Sequence, residues 1–216
     1  MKLGKFESWM VNSPWRRIGQ NLVMQWFERT VALNAGAAVL EVGCGGGVGA
    51  KLISEAYQPH SIYFLDLDLK MINKARQRMN GRHRKHIYFC VGDAIRLPFR
   101  SSAMDAVFGF GFLHHVPAWR NGLAEVARVL KRGDVYFMEE YYPSLYQNFI
   151  TKHILVHPEV DRFNSQDLHQ AYQDAGLTLT HSFELKRMGI LGVGVKADAR
   201  SISCKRHESA CQVVLD

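Results

Sequence analysis

Residues 39–47 read Val39-Leu40-Glu41-Val42-Gly43-Cys44-Gly45-Gly46-Gly47, a short apolar run that ends in glycines. No other stretch restricts the fold as much. An apolar run of strand length fits a strand buried on both faces of a sheet. Glycines at its end supply a turn with unusual backbone angles and no side chains to block a ligand. Residues 48–57 then carry a helical pattern that Pro59 ends. The alternation continues: strands are expected at 61–67, 87–91, 105–113 and 135–139, with helices at 69–79 and 119–130. Strands that alternate with helices argue for a parallel sheet with helices on both faces, which binds ligands beyond the carboxyl ends of its strands.

The flanks are less regular. Ser13-Pro14 reads as a cap and first helical residue, after which Trp15, Ile18, Leu22 and Trp26 recur at helical spacing with Val23 and Phe27 beside them. Residues 1–36 are therefore expected to be a helical segment that lies over the core as a lid. Ser165 is expected to cap a helix that Gly176 ends, and a closing strand pair follows at 177–185 and 190–195. The organisation expected is a lid at 1–36, one ligand-binding domain at 37–196 and a flexible tail at 197–216, where periodicity is lost. A chain of 216 residues with 47% hydrophobic content suffices for such a core.

Composition narrows the rest. No apolar run approaches the roughly 18 to 20 residues of a membrane-spanning helix. The first ten residues, broken by Lys5 and Glu7, lack the apolar centre of a secretory signal, so a cytoplasmic location is expected. The four cysteines form no C-x-x-C pair, and no H-E-x-x-H motif occurs among the ten histidines, so neither a disulfide framework nor a metal is expected. The net charge of +7 is concentrated at Lys70, Lys74, Arg76, Arg78, Arg82, Arg84 and Lys85. Without interleaved aromatics this run reads as a solvated face, and a nucleic-acid partner is not favoured over a small-molecule substrate.

Two ligand classes compete for the glycine turn. Gly45-Gly46-Gly47-Val48-Gly49-Ala50 formally matches a dinucleotide fingerprint, but its first glycine should lie at the strand end, which is Gly43. Counting from there puts Val48 where a small residue is needed. Glu41 would also repel a pyrophosphate and hold a cation. Asp66, at the end of the second strand and about twenty residues after Gly43, stands where such folds place a ribose-binding carboxylate. Asp68 reads more simply as a helix cap.

Further segments follow in order: Leu65-Asp66-Leu67-Asp68-Leu69-Lys70-Met71-Ile72, Gly92-Asp93-Ala94, Leu97-Pro98-Phe99, Met104-Asp105-Ala106-Val107, Leu113-His114-His115-Val116-Pro117 and Leu123-Ala124-Glu125-Val126-Ala127-Arg128-Val129-Leu130-Lys131. Together with the glycine turn they resemble the class I S-adenosylmethionine-dependent methyltransferases, in particular the small-molecule branch of ubiquinone and menaquinone C-methyltransferases. The resemblance implies an α/β, doubly wound, mostly parallel seven-stranded sheet with helices on both faces and an antiparallel last strand. It implies S-adenosyl-L-methionine as cofactor. Gly43, Cys44, Gly45 and Gly47 would border the methionine part with Glu41 beside them, Asp66 would bind the ribose, Leu67, Met71 and Phe110 would also be cofactor-binding, and Asp93 and the Ala94 amide would read the adenine edge. A carboxylate that accepts from an exocyclic amine, next to a backbone amide that donates to a ring nitrogen, suits that edge. The family's usual Pro-Gly-Gly turn before the fifth strand is here Arg132-Gly133-Asp134.

Methyl transfer from a sulfonium is an in-line displacement that needs alignment first and a base only where the acceptor must lose a proton. The candidates are Glu139, Glu140, Tyr141 and Tyr142 after the fifth strand and, ahead of them, His115 and then His114 at the carboxyl end of the fourth strand. Phe108, Phe110 and Phe112 alternate there with Gly109 and Gly111, so one face packs and the other leaves space. Outside 39–138 the chain matches no substrate class.

Overall fold

The computed structural model describes residues 14–79, 86–146, 161–185, 187–198 and 211–215. Helix α1 (Pro14–Thr30) leads into β1 (Ala38–Val42), α2 (Val48–Ala56), β2 (Ser61–Asp66), α3 (Leu69–Arg78) and β3 (Ile87–Val91). There follow β4 (Met104–Phe110), a 3-10 turn (Leu113–His115), α4 (Trp119–Val129), β5 (Leu130–Tyr141) and the one-turn α5 (Pro143–Tyr146). The chain ends with α6 (Ser165–Asp174), β6 (Leu177–Leu185), β7 (Gly189–Lys196) and β8 (Cys211–Leu215).

All strands join one sheet in the order β3-β2-β1-β4-β5-β7-β6-β8. The pairs among β1 to β5 are parallel, and β7 runs antiparallel to both β5 and β6. Seven strands thus make the expected doubly wound sheet, with its last strand antiparallel. An eighth adds to it: β8, from within the 197–216 segment, lies parallel to β6 at the edge.

Alternate side chains of each strand face opposite ways, and two cores result. Leu40, Val107 and Met138 share one with Leu123 and Val126 of α4 and Leu168 and Tyr172 of α6. Val39, Phe64 and Phe108 share the other with Phe27 of α1, Ile53 of α2 and Ala75 of α3. Helices therefore cover both faces. The strand order reverses between β1 and β4, so the loops after them diverge and open a crevice at the carboxyl edge.

Three details differ from expectation. On α1 the buried face is Gln20, Val23, Met24 and Phe27, whereas Ile18 and Leu22 are 53% and 61% exposed. Phe27 decides the face, because its ring packs against those of Phe108, Phe110 and Phe137. Strand β5 begins at Leu130 rather than Val135; the register shifts between Leu130 and Val135, and Gly133, with φ of 79°, absorbs the irregularity. The cap of α6 is Asn164 rather than Ser165, since Asn164 and Asp167 exchange side-chain to backbone hydrogen bonds in a capping box. Residues 1–13 of the expected lid and Arg82, Arg84 and Lys85 of the basic run lie outside the described residues. Among the described residues no helix is long and apolar enough to cross a membrane.

Candidate functional site

The glycine turn after β1 is pinned to the neighbouring strand. Gly43 and Cys44 both donate to the carbonyl of Leu65 (2.8 and 3.0 Å), and Gly45 N–H donates to Asp66 Oδ2 at 2.9 Å. Gly43, Gly45 and Gly47 all have positive φ, the left-handed region that side chains disfavour. Their surroundings separate their roles. A Cβ on Gly43 would come within 2.6 Å of Phe112 Cβ, and one on Gly47 within 2.7 Å of Ala75 Cα, so these two glycines admit close packing. A Cβ on Gly45 would meet nothing within 4 Å. That is the open side of the turn. Cys44 is buried beside it.

Beneath the turn lies Glu41, 2% exposed, with an Oε2 that has no hydrogen-bond partner. Burial, reinforced by the negative Asp66, pushes its carboxyl well above the usual range. Its other oxygen, Oε1, occupies the space beside Gly49: a Cβ there would stand 2.2 Å from Oε1 and 2.8 Å from the Phe110 ring. Gly49 therefore has a purpose that a fingerprint count does not reveal. It lets the first turn of α2 close over a carboxylate.

Asp66 is half-buried and spans two segments, accepting from Gly45 through Oδ2 and from Asp68 N–H through Oδ1, both at 2.9 Å. Burial pushes its carboxyl up despite these two hydrogen bonds. Asp68 instead caps α3, accepting from Lys70 N–H at 2.8 Å. Leu67, between them, is exposed, and Met71 on the first turn of α3 is half-buried. At the end of β3, exposed Asp93 accepts from Ile95 N–H at 3.1 Å, and Ala94 packs against the core beside it.

The loop after β4 is organised by a residue of β5. Glu140, 1% exposed, accepts from Phe112 and Leu113 N–H through Oε1 (3.0 and 2.8 Å), and its Oε2 lies 2.7 Å from His114 Nδ1. A carboxylate only accepts, so Nδ1 carries the proton and Nε2 is the basic nitrogen of the neutral ring. His114 is buried, its ring 4.2 Å from that of half-buried His115 and edge-on to Tyr141 at 5.6 Å. Tyr141 donates to Glu139, and a Cβ on Gly111 would lie 3.1 Å from the Tyr141 ring and 3.3 Å from His114.

The sequence candidates thus fall on one edge: Glu41 to Gly47 and Asp66 interlock directly, Leu67, Met71, Asp93 and Ala94 line the side toward β3, and Phe110, His114 and His115 the side toward β5. Two further residues, Gly49 and Glu140, hold these groups in place. Gly49 was legible only as part of a rejected fingerprint. Glu140 stands among the candidate bases after the fifth strand, but its hold on His114, 26 positions away, has no local signal.

The comparisons bear on this edge. A family described as a methyltransferase domain matches residues 39–133, just under half of the chain. The fatty-acid O-methyltransferase of Mycolicibacterium smegmatis is 38% identical over 108 residues, which are 50% of this chain and 38% of the relative. The phthiotriol/phenolphthiotriol dimycocerosates methyltransferase of Mycobacterium tuberculosis is 37% identical over 111 residues, 50% of this chain and 39% of the relative. The chain thus matches about two fifths of the length of these relatives. Among solved structures, an S-adenosylmethionine-dependent methyltransferase from Mesorhizobium loti superposes with a TM-score of 0.65 at 15% identity, covering 80% of this chain and 97% of that one. The family match identifies residues 39–133 as a methyltransferase domain, and the strand order and the solved neighbour show the fold that goes with it.

Proposed function

We infer that the chain methylates an oxygen of a long apolar acceptor of the fatty-acid kind, with S-adenosylmethionine as donor. Glu41 carries the cofactor half of this reading. A buried carboxylate with an unused oxygen, beside a glycine that opens onto free space, calls for a cation. The ammonium of a methionine moiety supplies one, and a dinucleotide pyrophosphate does not. Gly43, Cys44, Gly45 and Gly47 border that moiety. Asp66 takes the ribose hydroxyls on the lone pairs its two N–H bonds leave, Leu67 and Met71 flank the adenine, and Asp93 with the Ala94 amide reads its edge. Helix α1 covers the crevice from the side of Phe110.

The bound cofactor supplies an electrophilic sulfonium methyl that needs no metal. The remainder falls to the protein. Of the two histidines His114 is favoured as the base, because Glu140 fixes its tautomer and ring, while His115 borders the acceptor. With a hydroxyl acceptor, His114 Nε2 would take the hydroxyl proton, while the bound cofactor would supply the methyl group and leave as the neutral thioether. A carboxylate acceptor needs only orientation. The acceptor class rests on the names of the relatives.

Calorimetry with adenosylhomocysteine and with NAD tests the cofactor. Adenosylhomocysteine release in the presence of fatty acids, hydroxylated lipids, quinone precursors or RNA tests the acceptor. Tight NAD binding without an adenosylhomocysteine signal would end the methyltransferase reading. Release with quinone precursors or RNA alone would end the lipid one.

A further inference from the structure

The large apolar side chains that the described residues leave exposed are not scattered. They are Ile18, Leu22, Leu67, Leu69, Tyr88, Val91, Ile95 and Met188. All but Tyr88, near the start of β3, lie on the carboxyl edge. Leu67 and Leu69 follow β2, Val91 ends β3, Ile95 follows it, and Met188 lies in the turn between β6 and β7. The orientation of α1 brings Ile18 and Leu22 to the same edge. Its C-terminal end is tied to the opposite one, where Tyr57, after the last turn of α2, donates to the Val31 carbonyl. Phe27 packs among Phe108, Phe110 and Phe137, and Ile18 and Leu22 lie further toward the N-terminus of α1, on the side of the carboxyl edge.

Charge falls on the same edge. Helix α3 starts there and reads LKMINKARQR, with no acidic residue, and Lys70 and Lys74 on its first two turns are exposed. The chain as a whole carries +7. Isolated exposed apolar side chains need no explanation, but apolar side chains gathered on one edge with cations beside them are a pattern that an interface explains. A bilayer with anionic headgroups matches both parts: leucine and isoleucine side chains enter the acyl boundary while lysines stay at the phosphates.

We propose that this rim docks on an anionic lipid surface, so that the crevice faces the bilayer and takes its acceptor from it. The inference rests on the reading of the acceptor as lipid-borne. The surface it uses is the outward face of α1 with exposed Leu69, Lys70 and Lys74 of α3, and Leu67 and Met71 are left to the cofactor.

Co-sedimentation of the full chain with vesicles tests it without any turnover. The chain should pellet with mixed phosphatidylglycerol and phosphatidylcholine vesicles, should stay in the supernatant with pure phosphatidylcholine vesicles, and should release from the anionic ones as salt is raised. Ile18→Glu with Leu22→Glu, and separately Lys70→Glu with Lys74→Glu, should each weaken binding to the anionic vesicles by about ten-fold or more, since neither anchor suffices alone. Thermal midpoints equal to the parent's show that both variants fold. The proposal is overturned if the parent stays in solution with anionic vesicles at low salt. It is equally overturned if the Ile18/Leu22 variant binds undiminished while an RNA oligonucleotide displaces it, because the surface is then a polyanion site. Calorimetry with adenosylhomocysteine on the same preparation reports separately on the methyltransferase reading.

Discussion

Replacing Glu41 by Gln keeps the shape beneath the glycine turn and removes a carboxyl that burial makes costly to ionise. Because the folded carboxyl is raised by burial, the native state binds more protons than the unfolded chain above the ordinary glutamate value, about 4.3. Stability of the parent should therefore fall as pH rises through that value toward the folded one, by up to about 1.4 kcal/mol per pH unit for one group. Glu41→Gln loses that slope and should equal or exceed the parent in stability at pH 8. Cofactor binding should move the other way. A charge-assisted hydrogen bond from the methionine ammonium to Oε2 is typically worth about 1.5 to 3 kcal/mol, so the variant should bind adenosylhomocysteine roughly 10- to 150-fold more weakly. The parent should also release a proton on binding, because the ammonium favours the ionised carboxylate; the variant should not. Titration calorimetry in two buffers of different ionisation enthalpy reads affinity and proton release together, and thermal melts of the apoprotein give the pH slope. An unchanged affinity with unchanged proton release would refute the placement of the ammonium on Glu41.

Asp66→Ala should weaken adenosylhomocysteine binding more than Asp68→Ala, which removes only the cap of α3 and should cost about 1 kcal/mol of stability, read from the thermal midpoint; equal affinity losses would show the ribose assignment to be wrong. His114→Ala and Glu140→Gln should each lower kcat on a hydroxyl acceptor by about a hundred-fold or more and shift its pH profile, with cofactor affinity little changed. Retained kcat with weaker cofactor binding would move His114 to the cofactor side. At Glu184 burial pushes the carboxyl up, but hydrogen bonds with His169, Ser165 and Tyr142 outweigh it and hold it at about 2. Its contribution to stability is thus present above about 4.3 and lost as pH falls toward 2, and Glu184→Gln should flatten that part of an acid unfolding curve, with an unaltered curve counting against the network.

Local pattern carried most of the architecture. The run that ends at Val42 and the glycines after it placed β1, its turn and α2, because a buried strand and a left-handed turn each demand residue types that few other structures use. The orientation of α1 was not legible in the same way. Trp15, Ile18, Leu22 and Trp26 make as good a helical stripe as Val23 and Phe27, and only the phenylalanines of β4 and β5, far along the chain, choose between them. The site shows the same division. Glycine spacing and the position of Asp66 lie within one strand-turn-helix unit and could be read directly. The pairing of His114 with Glu140, and of Tyr142 with Glu184 at 42 positions' separation, depends on which strands become neighbours. Asn164 and Ser165 are both good caps, and the reply from Asp167 decides for the first.

The double attachment of Asp66 changes what its replacement would measure. One oxygen clamps Gly45, and the other clamps the start of the loop into α3, while the Leu65 carbonyl holds Gly43 and Cys44. The turn is thereby preorganised before any ligand arrives, and little ordering remains to be done on association. Its amides should be protected from hydrogen exchange in the ligand-free protein. Removing Asp66 releases that clamp together with any ribose contact, so the loss of affinity is a sum of two effects. Only the part that disappears when the ligand lacks its ribose hydroxyls belongs to the contact itself.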